Sequence, residues 1–396
     1  MKKFLLAFIP VLMICAGCAS GKCAPEKKCA PAKKCAPAKK CAAQPYKGKK
    51  LKAGFYIDEG SRGGGVIHLA RLLTYSPQID LTLLKGKDLR EGKLKGLDML
   101  VMPGGSSEKQ MISMGKEGVK ALQDYVRNGG VYVGICAGFH ITLNRPERAQ
   151  LLPYNYIREA VGARGDVQID LSKEGAKVLG VKPGKRMVRY SRGPIAKVNS
   201  WDKGSCKTFA TYTSSIGPIG KAGVSFFGTP ALISGTYGKG KVIATSFHPE
   251  YKPDTYELFV GCVYAVTGVK LTPQIPVSQY RPLRAAYCSG AALNGHAQVI
   301  KEYVALERCP QFTMQMGMNR EILAAVDLLI LPNTTEAWGK GLIKNKWIPI
   351  LVKFMDRGGK IIAAGDSWKT IPDHKNMTRI PADGCLVKAA VKVAAE

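Results

Sequence analysis

The chain has 396 residues, 46% of them apolar, and a formal net charge of +30. That apolar content excludes a wholly disordered polymer, and the length exceeds what one ordinary hydrophobic core organises, so two domains are expected. The charge invites a nucleic-acid reading, yet about +12 of it sits at one end, where 13 lysines stand against Glu26 alone up to Lys52. The remainder has no arginine-rich stripe interleaved with aromatic residues, so nucleic acid is not an expected partner.

Residues 1–17 read as an export signal. Lys2 and Lys3 precede the apolar run from Phe4 to Ile14, and small residues follow. The run is too short to span a bilayer as a helix and fits a cleaved segment. Its end, Ala16-Gly17-Cys18, resembles the lipobox of bacterial lipoproteins. That resemblance implies acylation of Cys18 and a lipid bilayer as partner. Ala19 and Ser20, with no aspartate, imply sorting to the periplasmic face of an outer membrane.

Residues 18–50 are low in complexity. Lys-Lys-Cys-Ala-Pro-Ala recurs, with Cys23, Cys29, Cys35 and Cys41 six residues apart. Such a composition buries no core and makes an extended, self-repelling tether. Its lysines suit anionic envelope polymers. No histidine or C-x-x-C spacing supports a metal site there, and none is expected elsewhere. Disulfide cross-linking between tethers and a repeat with no dedicated role both remain open.

The first folded domain is expected over residues 51–270. Ala53–Ile57, Ile79–Leu84 and Asp98–Met102 read as apolar strands, and Lys116–Arg127 as a helix stopped by Asn128-Gly129. Strands alternating with helices predict a doubly wound, parallel α/β sheet. Short strands and turns follow from Val167, with a hairpin at Gly238-Lys239-Gly240 and a closing helix from Asp254 to Val266.

A proline-bearing linker is expected over residues 271–283, and a second, smaller and degenerate α/β copy over 284–396. Asp327–Pro332 echoes Asp98–Pro103, and Phe354–Gly359 echoes Tyr125–Gly130, with equal spacing in both copies. Gly365 stands where Cys136 stands in the first copy, Asn333 replaces Gly104, and no His-Pro-Glu follows. The second copy is therefore expected to be chemically silent, and dispensable for the reactivity of Cys136.

The chemistry centres on Gly134-Ile135-Cys136-Ala137-Gly138, at the end of an apolar strand. A cysteine on such a strand-to-helix bend is exposed as a nucleophile, and a sulfur at a helix N-terminus is favoured as thiolate. Ser246-Phe247-His248-Pro249-Glu250 ends another apolar run. His248 is the expected base and Glu250 its orienter. The amides of Gly104, Gly105 and Ala137 are the expected oxyanion donors.

Met102–Gly105, Gly134–Gly138 and Phe247–Glu250 resemble the three motif blocks of class I glutamine amidotransferases. Across residues 51–268 the fuller resemblance is to the N-terminal domain of biotin-protein ligases, in Ile135–Gly138, Arg192-Gly193-Pro194 and Tyr237–Lys241. It implies a flavodoxin-like, amidotransferase-like fold with a Cys136–His248–Glu250 triad. Nothing resembles the ligase catalytic domain or a biotin-accepting lysine motif. Where amidotransferases carry glutamine four residues after the nucleophile, this chain has His140, one helical turn from Cys136.

An envelope protein has no ATP supply for amidotransferase biosynthesis. The expected function is therefore a thiol amidase or hydrolase acting on a small-molecule or peptide amide, without cofactor; self-association is left open. The alternatives are a non-catalytic binding or scaffold protein, and a glyoxalase-like site using Glu59. The loop Asp58–Gly65, with Arg62, is a weak candidate for holding an anion at the following helix N-terminus. Cys206, Cys262, Cys288, Cys309 and Cys385 are candidates for disulfides. Cys18→Ser is predicted to block processing or release the protein from membranes, as read by detergent partitioning and intact mass. An unlipidated wild type alongside a correctly cleaved, soluble mutant would refute the anchor.

Overall fold

The computed structural model describes residues 46–61, 64–159, 164–198, 205–214, 227–275, 283–288, 297–307, 309, 312–316, 320–333 and 347–396. Cys18, the cysteine repeats and Arg62 lie outside the described residues.

The first sheet is built on β1 (Leu51–Tyr56), β2 (Ile79–Leu84), β3 (Met99–Met102) and β4 (Val131–Ile135), all parallel. Helices α1 (Gly64–Thr74), α2 (Gly86–Arg90) and α3 (Ser107–Arg127) connect them, and α4 (Ala137–Thr142) follows β4. Every residue of β3 and β4 is buried, as expected of central strands covered on both faces. Val66, Leu69 and Leu73 of α1 fill one face, and Met114, Leu122 and Val126 of α3 the other. The helix expected from Lys116 starts earlier, at Ser107, but is interrupted by Gly115 at φ 65°. Regular helix thus resumes where the apolar spacing begins.

Beyond β4 the chain leaves the sheet and returns. Described strands β5 (Tyr154–Glu159) and β8 (Pro194–Val198) pair as a separate antiparallel ribbon. Strands β6 (Arg164–Leu171), β7 (Gly184–Ser191), β9 (Cys206–Tyr212) and β10 (Pro230–Tyr237) extend the main sheet in antiparallel fashion. The β10 hairpin leads into β11 (Gly240–Thr245), which lies parallel to β4. The nine strands run β2-β1-β3-β4-β11-β10-β9-β6-β7. Its parallel part has the flavodoxin-like order, in which ligands sit outside the carboxyl ends of the strands. Helix α5 (Tyr256–Thr267) closes this part and stops at Gly268, φ 75°.

The second sheet contains β12 (Leu283–Tyr287), β13 (Phe312–Met316), β14 (Leu328–Leu331), β15 (Lys360–Ala364) and β16 (Met377–Ile380), parallel and ordered β13-β12-β14-β15-β16. Counted from its own first strand, this is the order of the parallel part of the first sheet. Local contacts repeat as well. The Lys52 amide donates to Asp98 Oδ2 at 2.9 Å, and the Arg284 amide to Asp327 Oδ2 at 2.9 Å. Gly130 N donates to Tyr125 O, and Gly359 N to Phe354 O, each at 2.9 Å.

Residues 45–396 form one compact unit. The start of the expected linker is fastened down: Leu271 is buried, and Gln78 Nε2 donates to Thr272 Oγ1 at 2.6 Å. Helix Ala297–Glu307 packs on α1, where Tyr75 OH donates to Val304 O at 3.3 Å and Arg71 Nε meets Glu307 Oε2 at 2.7 Å. This second lobe therefore covers α1, whose N-terminal turn abuts the candidate site, and the expected dispensability does not follow from its packing. Removing one partner of a largely buried ion pair leaves the other charge uncompensated, at ~3 kcal/mol. Arg71→Ala is predicted to cost about that much, read as a lowered urea midpoint. A change below about 0.5 kcal/mol would mean the pair is effectively solvated.

Candidate active site

Cys136 links β4 to α4 at φ 53°, ψ −98°. A non-glycine residue there costs ~1–3 kcal/mol, and such strain persists where the surroundings enforce it. The enforcement is visible: Cys136 N donates to Thr245 O at 2.7 Å, and His140 N to Cys136 O at 3.1 Å. A side chain at Gly138 would meet Met102 O at 2.4 Å, so only glycine lets α4 sit this close to β3. The bend turns the sulfur away from the strand into a cavity. Because α4 spans only Ala137–Thr142, its macrodipole is short.

The Ser246–Glu250 turn is fixed from several sides. Ser246 Oγ donates to Pro194 O at 2.7 Å, His248 N to Arg189 O at 2.8 Å, and Thr255 Oγ1 to Pro249 O at 2.8 Å. His248 is 6% exposed and Glu250 fully buried, with Nδ1 and Oε1 2.7 Å apart. A Cβ placed on Gly104 would lie 2.7 Å from His248 Cε1 and 3.5 Å from Cys136 Cβ. The imidazole and the thiol-bearing carbon thus flank one point that only glycine leaves empty. Burial opposes the imidazolium, but the Glu250 carboxylate and the Cys136 sulfur outweigh it through charge and hydrogen bonds. The His248 pKa is held well above its ordinary value. Cys136 Sγ also lies 3.7 Å from Ser191 O.

The weak anion site expected at the Asp58–Gly65 loop has another occupant. A Cβ on Gly65, in the first turn of α1, would fall 2.2 Å from Glu250 Oε1 and 3.1 Å from His248 Nδ1. The helix end therefore faces the chain's own buried carboxylate, which its dipole favours. Asp58 serves the loop, accepting from Gly86 N at 2.9 Å and from Ser113 Oγ at 2.5 Å. Glu59 is exposed and pairs with Lys109 at 3.6 Å, away from the cavity at Cys136.

That cavity, of about 450 Å³, is lined by Cys136 with Gly105, Ala137 and His140. Gly104 is not among its lining residues and acts as the spacer between cysteine and histidine. His140 is 3% exposed, with Nδ1 2.9 Å from Ser107 Oγ and its ring stacked on Tyr156, centroids 4.6 Å apart. Burial first, then Arg148 and Arg145, lower its pKa to about 3, so it is neutral and no acid–base group near pH 7.

Other neighbours were not singled out from sequence. His68 and Tyr251 pack beside the pair, with ring centroids 5.3 Å apart and Tyr251 5.4 Å from His248. Burial lowers the His68 pKa to about 4, against the pull of Glu250. Arg145, Arg148 and Tyr156 also line the cavity, and the Arg-Pro-Glu-Arg run just past the elbow helix was the available signal. Among the described residues no disulfide forms and no group of ligating side chains could hold a metal ion. No described helix is long and apolar enough to cross a membrane.

The second lobe keeps the elbow without the cysteine. Gly365 follows β15 at φ 72°, but a side chain there would meet Asn333 Oδ1 at 2.5 Å. Where the first lobe sets glycine opposite cysteine, the second sets asparagine opposite glycine, and the amide crowds the place where a side chain at Gly365 would start.

The neutral, buried His140 has a pH consequence. Its folded pKa is depressed from 6.5 to about 3, so the fold binds the proton less well than the unfolded chain. Its contribution is present above pH 6.5 and is lost as pH falls toward 3, with a slope approaching ~1.4 kcal/mol per pH unit. His140→Gln is predicted to flatten acid destabilisation in that window, read by urea melts at several pH values. An unchanged acid limb would refute this assignment.

Residues 72–147 match the family model described as "Biotin-protein ligase, N terminal". No curated protein matches the chain in sequence. Among solved structures, a ThuA-like protein from Bacteroides uniformis is 16% identical, with 57% of this chain and 94% of that one covered at a TM-score of 0.43. PurLQS from Thermotoga maritima is 16% identical, with 54% and 98% covered at 0.41. A glutamine amidotransferase is 18% identical, with 55% and 99% covered at 0.39. The segment that carries Pro103–Gly105 and the Cys136 elbow is thus similar to the N-terminal region of biotin-protein ligases.

Proposed function

We propose that the protein is a cysteine-dependent amidase or hydrolase, with Cys136 as nucleophile, His248 as proton carrier and Glu250 as orienter. The observation that carries this reading is the buried His248–Glu250 pair set against a strained cysteine that opens into a cavity. In the attack, the sulfur bonds to the amide carbonyl carbon, and the oxyanion is held by amides at Gly105 and Ala137. His248 gives its proton to the departing amine as the carbon–nitrogen bond breaks, leaving a thioester. Water, deprotonated by His248, then attacks the thioester, releasing the acid and regenerating the thiol. We further infer a lipid anchor at Cys18, a basic tether meeting anionic envelope polymers, and a periplasmic site on the outer membrane. These inferences rest on the sequence alone.

A second reading, a binding protein without turnover, is favoured by one feature. The second lobe preserves the elbow with glycine in place of the nucleophile, so this architecture persists here without chemistry.

Alkylation rates resolved by cysteine separate the two. Cys136 should react with iodoacetamide faster near neutral pH than exposed Cys385. His248→Ala should slow it by about a hundredfold, the scale of a lost general acid–base group, and Glu250→Gln by less. Cys136→Ser should abolish hydrolysis in a panel of amides that includes glutamine, while leaving the melting temperature nearly unchanged. Reaction at Cys136 no faster than at Cys385 would sink the enzyme reading in favour of the binding one.

A further inference from the structure

We propose that the edge of the first sheet opposite Cys136, where its parallel strands begin, is a contact surface for an anionic lipid bilayer. The inference goes beyond the hydrolase reading and rests on the proposed anchor at Cys18. Cys136 follows the carboxyl end of β4, so its cavity opens at the other edge of the sheet. At the strand starts, the loops before β3 and β4, the first residue of β1 and the end of α5 converge on a groove of about 710 Å³. Leu51, Lys95, Gly129 and Thr267 are among its lining residues. Lys47, Lys49 and Lys50 lead into β1 and are exposed. Lys239 leads into β11, its amide donating to Arg127 O at 2.9 Å. Lys270 lies between the end of α5 and Thr272, which Gln78, just ahead of β2, meets at 2.6 Å.

These six lysines are all exposed, and among the described residues none of them pairs with a carboxylate. The acids nearby are already engaged. Asp124 pairs with Lys120 and Arg127, and Glu91 with Lys87 and Lys93. Asp98 accepts from the Lys52 amide, and Asp80 stands across from Lys52 in the β1–β2 register. The carboxyl edge differs: there Lys109 pairs with Glu59, Arg145 with Glu147 and Lys252 with Asp166. Cations also gather where helices end, because the dipole favours them. That accounts for Arg127 at the end of α3 and for Lys270 past α5, but not for Lys47, Lys49, Lys50, Lys95 or Lys239, which stand ahead of strands. An unpaired basic surface is drawn to an anionic leaflet, and the attraction fades within a Debye length. The folded unit begins at Pro45, just ahead of the first three lysines, so chain arriving from Cys18 joins it at this edge. The anchor and the lysines therefore act on the same side, and the Cys136 cavity is turned toward water. Its substrate then arrives from the aqueous side rather than from the lipid.

The chain from Ala19 onward keeps the tether and the compact unit of residues 45–396 but carries neither the signal nor the anchor. Titrated with vesicles, it should bind phosphatidylcholine mixed with phosphatidylglycerol and not phosphatidylcholine alone, and added salt should weaken the binding. Lys95→Gln and Lys239→Gln should each weaken it about fivefold, the scale of one cation beside an anionic leaflet. Lys109→Gln, at the carboxyl edge, should leave it nearly unchanged. Iodoacetamide should alkylate Cys136 at the same rate with and without vesicles. Binding that neither Lys95→Gln nor Lys239→Gln weakens would leave the tether as the contact and overturn the surface. Slower alkylation of Cys136 on vesicles would overturn the orientation, because the carboxyl edge would then face the lipid. If the two substitutions weaken binding to soluble polyglutamate as much as binding to vesicles, the surface belongs to an anionic polymer and the lipid assignment falls. The anchor is read separately from the intact mass of the wild type, so its failure is not confused with that of the surface.

Discussion

A carboxylate withdrawn from water costs several kcal/mol unless charge and hydrogen bonds compensate it where it sits. Glu250 is fully buried, and the geometry around it follows from that requirement. His248 answers it at 2.7 Å, and α1 brings its N-terminal end alongside. Gly65 and Gly104 leave the room that the imidazole and the carboxylate occupy. The same compensation holds the imidazole protonated beside a sulfur on a strained bend. Charge burial, helix placement and the elbow are therefore parts of one arrangement. A larger residue at Gly65 or Gly104 would displace the pair by steric contact alone, without touching its chemistry.

The two lobes show how the same backbone plan can carry a site or fill it. The strand order, the aspartate that clamps the first strand, and the turn before the fourth recur in both. The difference lies at two facing positions, Gly104 with Cys136 and Asn333 with Gly365. Because the positive φ survives at Gly365, the bend belongs to the architecture rather than to the chemistry. The second lobe also reaches the first through Glu307 and Arg71, on the helix whose opposite end faces Glu250. Its role is consistent with holding α1 in place.

Much of the fold was legible because its causes are local. Unbroken apolar runs at Met99–Met102 and Val131–Ile135 announce strands buried on both faces, and the glycines about Cys136 announce a tight bend. The Lys116–Arg127 spacing gave the regular part of α3, while its first turns, which lack that spacing, were missed. The repeat of Asp327–Gly359 was equally readable, because duplication preserves spacing even where chemistry is lost. The cavity's arginines were not. Arg145 and Arg148 share one short run after α4, but Arg192 follows β7, and no local pattern joins it to them.

By itself the sequence determined the parallel α/β plan, the doubling of that plan and the residue types able to do thiol chemistry, since periodicity and bend residues act over a few positions. Only the tertiary structure decided that Gly104 is a spacer, that His140 is a buried neutral wall, and that Glu59 faces solvent with Lys109. It also decided that the weak anion site of α1 is met by Glu250. The physical reason is that charge state and access depend on desolvation and on neighbours from distant strands, neither of which is written into any short stretch of chain.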